Sequence, residues 1–160
     1  MVPTEIKFVA DAMLGSLARK LRIFGFDTLY FRDGPDSELL RIAAAENRVI
    51  LTGDRAVIER SDRQHLSALR VSGRSERQRL ESLVVQARAR SMSLVPGEPR
   101  CALCNGVLER LAKSEVSDGV PDSVTRRHRL YFRCVVCGKS YWRGGHWRRL
   151  RRLASIVRQR

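Results

Sequence analysis

The chain reads as an α/β protein: a parallel sheet with helices on both faces, followed by a small metal-binding appendage. Three observations predict this. Strand-like and helix-like segments alternate through residues 6–60, as they do where helices link parallel strands. The third strand-like run, Val49-Ile50-Leu51-Thr52, is apolar at both parities up to its threonine, which suits a sheet covered on both sides. The four cysteines all lie beyond residue 100, as two CxxC pairs that follow a Pro- and Gly-containing boundary.

The elements follow in order. Ile6 to Ala10 predicts the first strand and Ala12 to Phe24 the first helix, in which Leu14, Leu17, Ala18 and Leu21 recur at i, i+3, i+4 and i+7. Gly25 closes that helix as a left-handed residue would. Thr28 to Phe31 predicts a second strand and Arg32-Asp33-Gly34-Pro35 a turn. A second helix runs from Asp36 or Ser37 to Glu46, with Leu39, Leu40, Ile42 and Ala43 apolar. After the third strand come a short helix over 56–63, a fourth strand over 66–71 and a helix over 75–90. Ser75 and Gln78 form a capping box for this helix, and Leu80, Leu83, Val84 and Ala87 share one of its faces. The stretch 94–100, with Pro96, Gly97 and Pro99, divides the chain into a sheet domain over 1–95 and a ribbon with a basic tail over 96–160.

At 160 residues the chain supports one domain with a modest core plus an appendage. Hydrophobic residues at 43% and charged residues at 30% predict a globular fold rather than disorder. No apolar run approaches membrane-spanning length, and no basic segment precedes an apolar stretch at the start, so the expectation is a cytoplasmic protein without a membrane partner. Net charge is +14 and uneven. Residues 101–160 hold 14 basic residues against 4 acidic ones, and no acid follows Asp122. Such a surface attracts polyanions, RNA foremost, with an acidic membrane surface as the competing partner.

Asp11 and Asp54 each follow an apolar strand, and Asp36 and Glu38 open the helix between them. In open parallel sheets, ligands bind beyond the carboxyl ends of the strands. Carboxylates gathered there repel unless a cation compensates, and Mg²⁺ or Mn²⁺ prefers oxygen ligands. A metal so held activates water for attack on a phosphodiester. The same residues also suit plainer roles: Asp11 and Asp36 as helix caps, Glu38 as a first-turn acid, Asp54 at a turn.

Cys101, Cys104, Cys134 and Cys137 form two CxxC pairs with 29 residues between them. Two such turns close a tetrahedral Cys₄ zinc site with no open position, so this zinc is structural. A disulfide, a redox pair or an iron–sulfur cluster uses the same residue type. Tyr131, Phe132, Tyr141, Trp142 and Trp147 lie among arginines, a mixture that suits single-stranded RNA. Phe132 and Tyr141 are expected in the ribbon's own core. Arg143, His146, Trp147, Arg148 and Arg149 are candidate RNA contacts there. Arg19 and Arg22, one turn apart on the first helix, and Arg55 beside Asp54 are candidates near the acids; a solvated helix face explains the first two equally well.

Ordered blocks of the sequence resemble the Mut-seven C-terminal RNase domain family, which is PIN-like. They are Asp11 with Met13-Leu14-Gly15, Leu17-Ala18-Arg19, Leu21-Arg22 and Gly25-Phe26-Asp27-Thr28; Asp36-Ser37-Glu38-Leu39-Leu40; and Arg48-Val49-Ile50-Leu51-Thr52-Gly53-Asp54-Arg55. Cys101-Ala102-Leu103-Cys104-Asn105-Gly106 and the run from Cys134 through Trp147 are similar to its zinc-ribbon end. The match spans about residues 6–150. The resemblance implies a PIN-like three-layer α/β fold and metal-dependent RNase activity. It carries the acidic roles onto Asp11, Asp36 and Asp54, with Glu38 beside or in place of Asp36. PIN nucleases commonly add a fourth acid soon after the third. Here Arg55, Ala56 and Val57 follow Asp54, and Glu59 and Asp62 are the nearest acids, neither well placed. That departure favours the alternative of a non-catalytic RNA-binding protein on the same scaffold.

Overall fold

The structure, a computed structural model, describes residues 5–116, 120–145 and 147–158. Four parallel strands form its main sheet: β1 (Lys7–Ala10), β2 (Asp27–Tyr30), β3 (Val49–Thr52) and β4 (Ala68–Arg70), in the order β2-β1-β3-β4. The helices between them are α1 (Gly15–Ile23), α2 (Asp36–Glu46) and α3 (Arg55–Arg63), and α4 (Glu76–Ala89) follows β4. Side chains alternate between the faces of a strand. Phe8, Ala10, Leu51 and Leu69 pack with Leu17, Leu21, Leu80 and Leu83 of α1 and α4. Val9, Ile50 and Ala68 pack with Leu39, Leu40 and Ala43 of α2 and Val57 of α3. The continuous apolar character of the strands is thus the signature of three layers.

The first helix is shorter than its apolar spacing suggests. Asp11 caps a single 3₁₀ turn at Ala12–Leu14, and regular α-helix begins at Gly15. At the other end Gly25 has φ +98°, the N–H of Gly25 bonds to Arg22 and that of Phe26 to Leu21, a Schellman closure. A Cβ at Gly25 would stand 2.1 Å from the carbonyl oxygen of Gly97, so the linker passes directly over this glycine.

The ribbon is an antiparallel sheet of β5 (Leu108–Leu111), β6 (Tyr131–Cys134) and β7 (Ser140–Trp142), in that order, with the short α5 (Asp122–Arg127) between the first two. Its buried ring is Tyr131, fully enclosed, whose hydroxyl donates to the carbonyls of Val124 and His128. Phe132 and Tyr141, expected in the core, are half-buried on the other face of the sheet. The basic tail is in part a helix, α6 (Trp147–Arg158), packed on α4. Leu150, Leu153, Ala154 and Val157 recur at i, i+3, i+4 and i+7, and Ala154 and Val157 join the main core. Among the described residues no helix is long and apolar enough to cross a membrane.

Candidate active site and metal centre

The carboxyl edge of the sheet is built around Thr52, the fully buried last residue of β3. Its hydroxyl donates to Asp11 Oδ2 at 2.7 Å and accepts the backbone N–H of Asp54 at 3.0 Å. One threonine thereby ties the Asp11 carboxylate to the backbone of Asp54, one acid following β1 and the other β3. Both also cap: Asp11 Oδ1 accepts from the N–H of Ala12 and Asp54 Oδ1 from that of Ala56, each at 2.7 Å. The capping and ligand readings are therefore compatible, since an ionised carboxylate accepts at about four lone-pair positions.

Asp36 opens α2, but its Oδ2 lies 2.5 Å from an Arg60 guanidinium nitrogen on α3. Glu38 grips Arg41 through both oxygens, at 2.8 and 2.6 Å, and Arg41 holds its carboxyl below the usual range. The sheet edge thus links two of the candidate acids through Thr52 and gives the other two to arginines. Among the described residues the four cysteines, and no set of carboxylates, form a group of three or more that could share one metal ion. Glu59 pairs with Arg55 at 3.5 Å, and Asp62 is exposed on the same helix.

The candidate arginines divide in the same way. Arg19 and Arg148 are exposed, and Arg149 reaches Glu76 at 3.3 Å. Glu76 opens α4 and also binds Lys20 and Ser16 of α1, so α6 is anchored where α1 and α4 meet. Arg143 is exposed after β7. His146 and the side chain of Trp147 lie outside the described residues. Arg22 is not an RNA contact: it is 5% exposed, and its guanidinium donates to the carbonyls of Thr28, Ala102 and Leu103 at 2.8, 2.9 and 3.0 Å. Burial lowers its pKa, which the nearby Cys101 and Cys104 oppose.

The four cysteines converge. All four sulfurs lie within 4.8 Å of one another, with Cys101–Cys137 at 3.6 Å and Cys104–Cys134 at 3.4 Å. A disulfide needs about 2.05 Å. A tetrahedron with metal–sulfur bonds of about 2.3 Å has edges near 3.8 Å, so the set fits Zn²⁺. The Tyr141 hydroxyl lies 3.0 Å from Cys101 Sγ, a donor that stabilises a thiolate. Burial opposes that charge, but the Tyr141 hydroxyl and the backbone N–H groups of Cys104 and Leu103 bring the Cys101 pKa down to about 6.

A polar joint binds the ribbon to the sheet domain, and no spacing of residues along the chain marks it. Asn105 has φ +69° just after the first CxxC turn; its Oδ1 accepts the N–H of Thr28 and its Nδ2 donates to Asp27 Oδ1 at 2.8 Å. Asp27 also meets Arg48 at 2.6 Å and Arg100 at 3.7 Å. Burial raises the Asp27 pKa, but the hydrogen bonds from Arg48 and Asn105 and the two positive charges outweigh it and hold the carboxyl below its ordinary value.

A family model, the Mut7-C RNAse domain, matches residues 6–154. No curated protein and no solved structure matches the chain.

Proposed function

The chain belongs to the Mut7-C RNase domain family, and from that premise we propose that it is a divalent-metal-dependent ribonuclease whose zinc ribbon and C-terminal helix help to hold the RNA. The observation that carries the reading is the Thr52 hydroxyl joining Asp11 to the backbone of Asp54 at the ends of adjacent parallel strands. Two carboxylates so placed suit Mg²⁺ or Mn²⁺, which supplies a nucleophile by acidifying bound water and offsets charge on the scissile phosphate. Asp11 and Asp54 would hold it. Thr52 orients Asp11 and, through its buried hydroxyl, keeps one carboxylate oxygen fixed. Asp36 joins them only if Arg60 releases it, and Arg60 is then free to meet phosphate. Glu38, half-exposed and held by Arg41, is the weaker fourth candidate.

RNA is held by the exposed cations: Arg19 on α1, Arg55 on α3, Arg143 after β7, and Arg148 and Arg149 on α6, the last requiring exchange from Glu76. Each phosphate contact removed should lower the salt slope of single-strand binding by about 0.7. Cys101, Cys104, Cys134 and Cys137 hold Zn²⁺ as a structural ion, because four thiolates leave no open position. The test is Asp11→Asn and Asp54→Asn. Asparagine caps a helix about as well as aspartate, so folding survives while the ligand charge is lost. Metal-dependent cleavage should fall at least 100-fold, the order of effect expected when charge stabilisation at the reacting group is removed. A double variant that cuts RNA at the wild-type rate refutes the mechanism. Wild-type protein that binds RNA and never cuts it with either metal favours a binding module.

A further inference from the structure

The joint encloses a cavity of about 440 Å³ that the acidic edge does not use. One wall is the ribbon: the strand register puts Phe132 opposite Tyr141, and Leu108 shares their face of the sheet. All three line the cavity, with Trp142 of the edge strand β7. The other wall is Ile23 and Gly25, at the C-terminal end of α1, with the linker. Two backbone bonds fix that wall, Gly97 N–H to Gly25 at 3.0 Å and Arg100 N–H to Arg22 at 2.8 Å. The cavity is thus preformed, and its volume lies in the range of small-ligand sites.

We propose that this cavity binds one unpaired nucleotide of an RNA strand, base inward. The assignment rests on the RNA-acting reading above. The half-buried rings of Phe132 and Tyr141 share one face of the sheet and offer stacking surfaces that every base satisfies, and Trp142, paired with Tyr131 across the sheet, borders the cavity at its edge. Glu5 and Glu98 also line the space, and carboxylates repel phosphate while accepting from the exocyclic amines of bases. Of the two arginines that line the cavity, Arg100 is engaged by Asp27 and Arg143 is exposed, so the base enters while its phosphates stay toward Arg143, in a ribbon segment carrying 14 basic residues against 4 acidic. Asp11 precedes the N-terminus of α1, whereas the cavity adjoins its C-terminus. The 3₁₀ turn and nine helical residues between them span about 20 Å. Exposed Arg19 lies between, so a single strand gripped at the cavity can follow α1 to the acids.

The test uses the zinc-loaded full chain and a short fluorescein-labelled oligoadenylate, with no other divalent ion added. Phe132→Leu and Trp142→Leu keep apolar bulk and remove a ring. Val107→Trp fills the space from a position that is 56% exposed, where a larger side chain does not threaten the fold. Each should weaken binding roughly 5- to 150-fold, the range of one lost stacking contact, with the salt slope unchanged because no phosphate contact is removed. Binding of duplex RNA, whose bases are already stacked, should not change. Oligoadenylate affinity unchanged in Val107→Trp and in both ring variants overturns this site and leaves the ribonuclease reading standing. Wild-type protein that binds no RNA overturns both. Adenosine monophosphate competing as tightly as the oligomer makes this a free-nucleotide site and overturns the assignment to RNA.

Discussion

Replacing Arg22 by leucine separates a residue that steers RNA from one that holds the molecule together. The guanidinium spans three segments: it leaves α1, bonds to Thr28 in β2, and meets the carbonyls of Ala102 and Leu103 in the first cysteine turn. Hydrogen bonds from a charged donor contribute roughly 1.5–3 kcal/mol each before the donor's own desolvation is subtracted. That desolvation is real here, since burial is the leading reason that Arg22's pKa lies below its ordinary value. Leucine recovers it but leaves three carbonyls without their donor. Setting the two against each other gives a net loss of about 3 kcal/mol. For a chain of this size that lowers Tm by roughly 6–12 °C. The assay is differential scanning calorimetry at fixed zinc, with Arg19→Leu as the control. Arg19 is exposed one turn earlier, so its replacement should shift stability by no more than about 0.5 kcal/mol while weakening RNA binding. An Arg22→Leu protein that melts within about 1 °C of wild type refutes the strut.

Other outcomes follow from the same geometry. Metal analysis should find one zinc per chain; chelation should unfold the ribbon while the parallel sheet keeps its circular dichroism, because so small a sheet has little core of its own. Asp27→Asn should cost about 2–3 kcal/mol at pH 7, because Arg100 loses its countercharge and the buried Arg48 is left with the more exposed Glu46 alone. Since the folded pKa of Asp27 lies below its unfolded value of about 3.9, its contribution is complete above that pH and is lost as pH falls through the folded value. The stability gap between wild type and variant should therefore close below about pH 4, and a gap constant with pH refutes the charge argument. Gly25→Ala combines a left-handed backbone with a Cβ driven into Gly97, and denaturant titration should show a loss of about 2–4 kcal/mol.

Local chemistry made much of this fold legible. The capping box of Ser75 and Gln78 is present as two reciprocal bonds, and Gly25 adopts the left-handed conformation that its place after the first helix requires. Both are signals within a few residues. The apolar spacing through Val157 was equally readable, and it marks the basic tail as a helix with a core-facing side; charge concealed it. Arg22 shows a harder limit. Its spacing from Arg19 describes one helix face, but its partners lie about 80 residues away in the cysteine turn, and no period carries that information. Asn105 is hidden for the same reason. For the acids, sequence order put Asp11 and Asp54 at one edge of the sheet; it carried no sign that Arg60 would take Asp36.

The joint explains how a ribbon with so small a core can have a defined place on the sheet domain. A metal held by the four cysteines would close their turns, but a closed ribbon on a seven-residue linker would still swing. Here the linker is bonded to the end of α1, Arg22 holds the first cysteine turn, and Asn105 docks on Asp27 and Thr28. From the far side, α6 returns to α4, and Arg149 meets the same Glu76 that binds Lys20. The ribbon is therefore held at both of its chain ends. At the linker and the cysteine turn the hold uses charge and hydrogen bonds, and at α6 apolar packing by Ala154 and Val157 is added to the Arg149–Glu76 pair. A rigid mount fixes the distance from the aromatic cavity to Asp11 and Asp54. On the function proposed above, that fixed separation would let binding at one place position a strand at the other, because the fold supplies the orientation before RNA arrives.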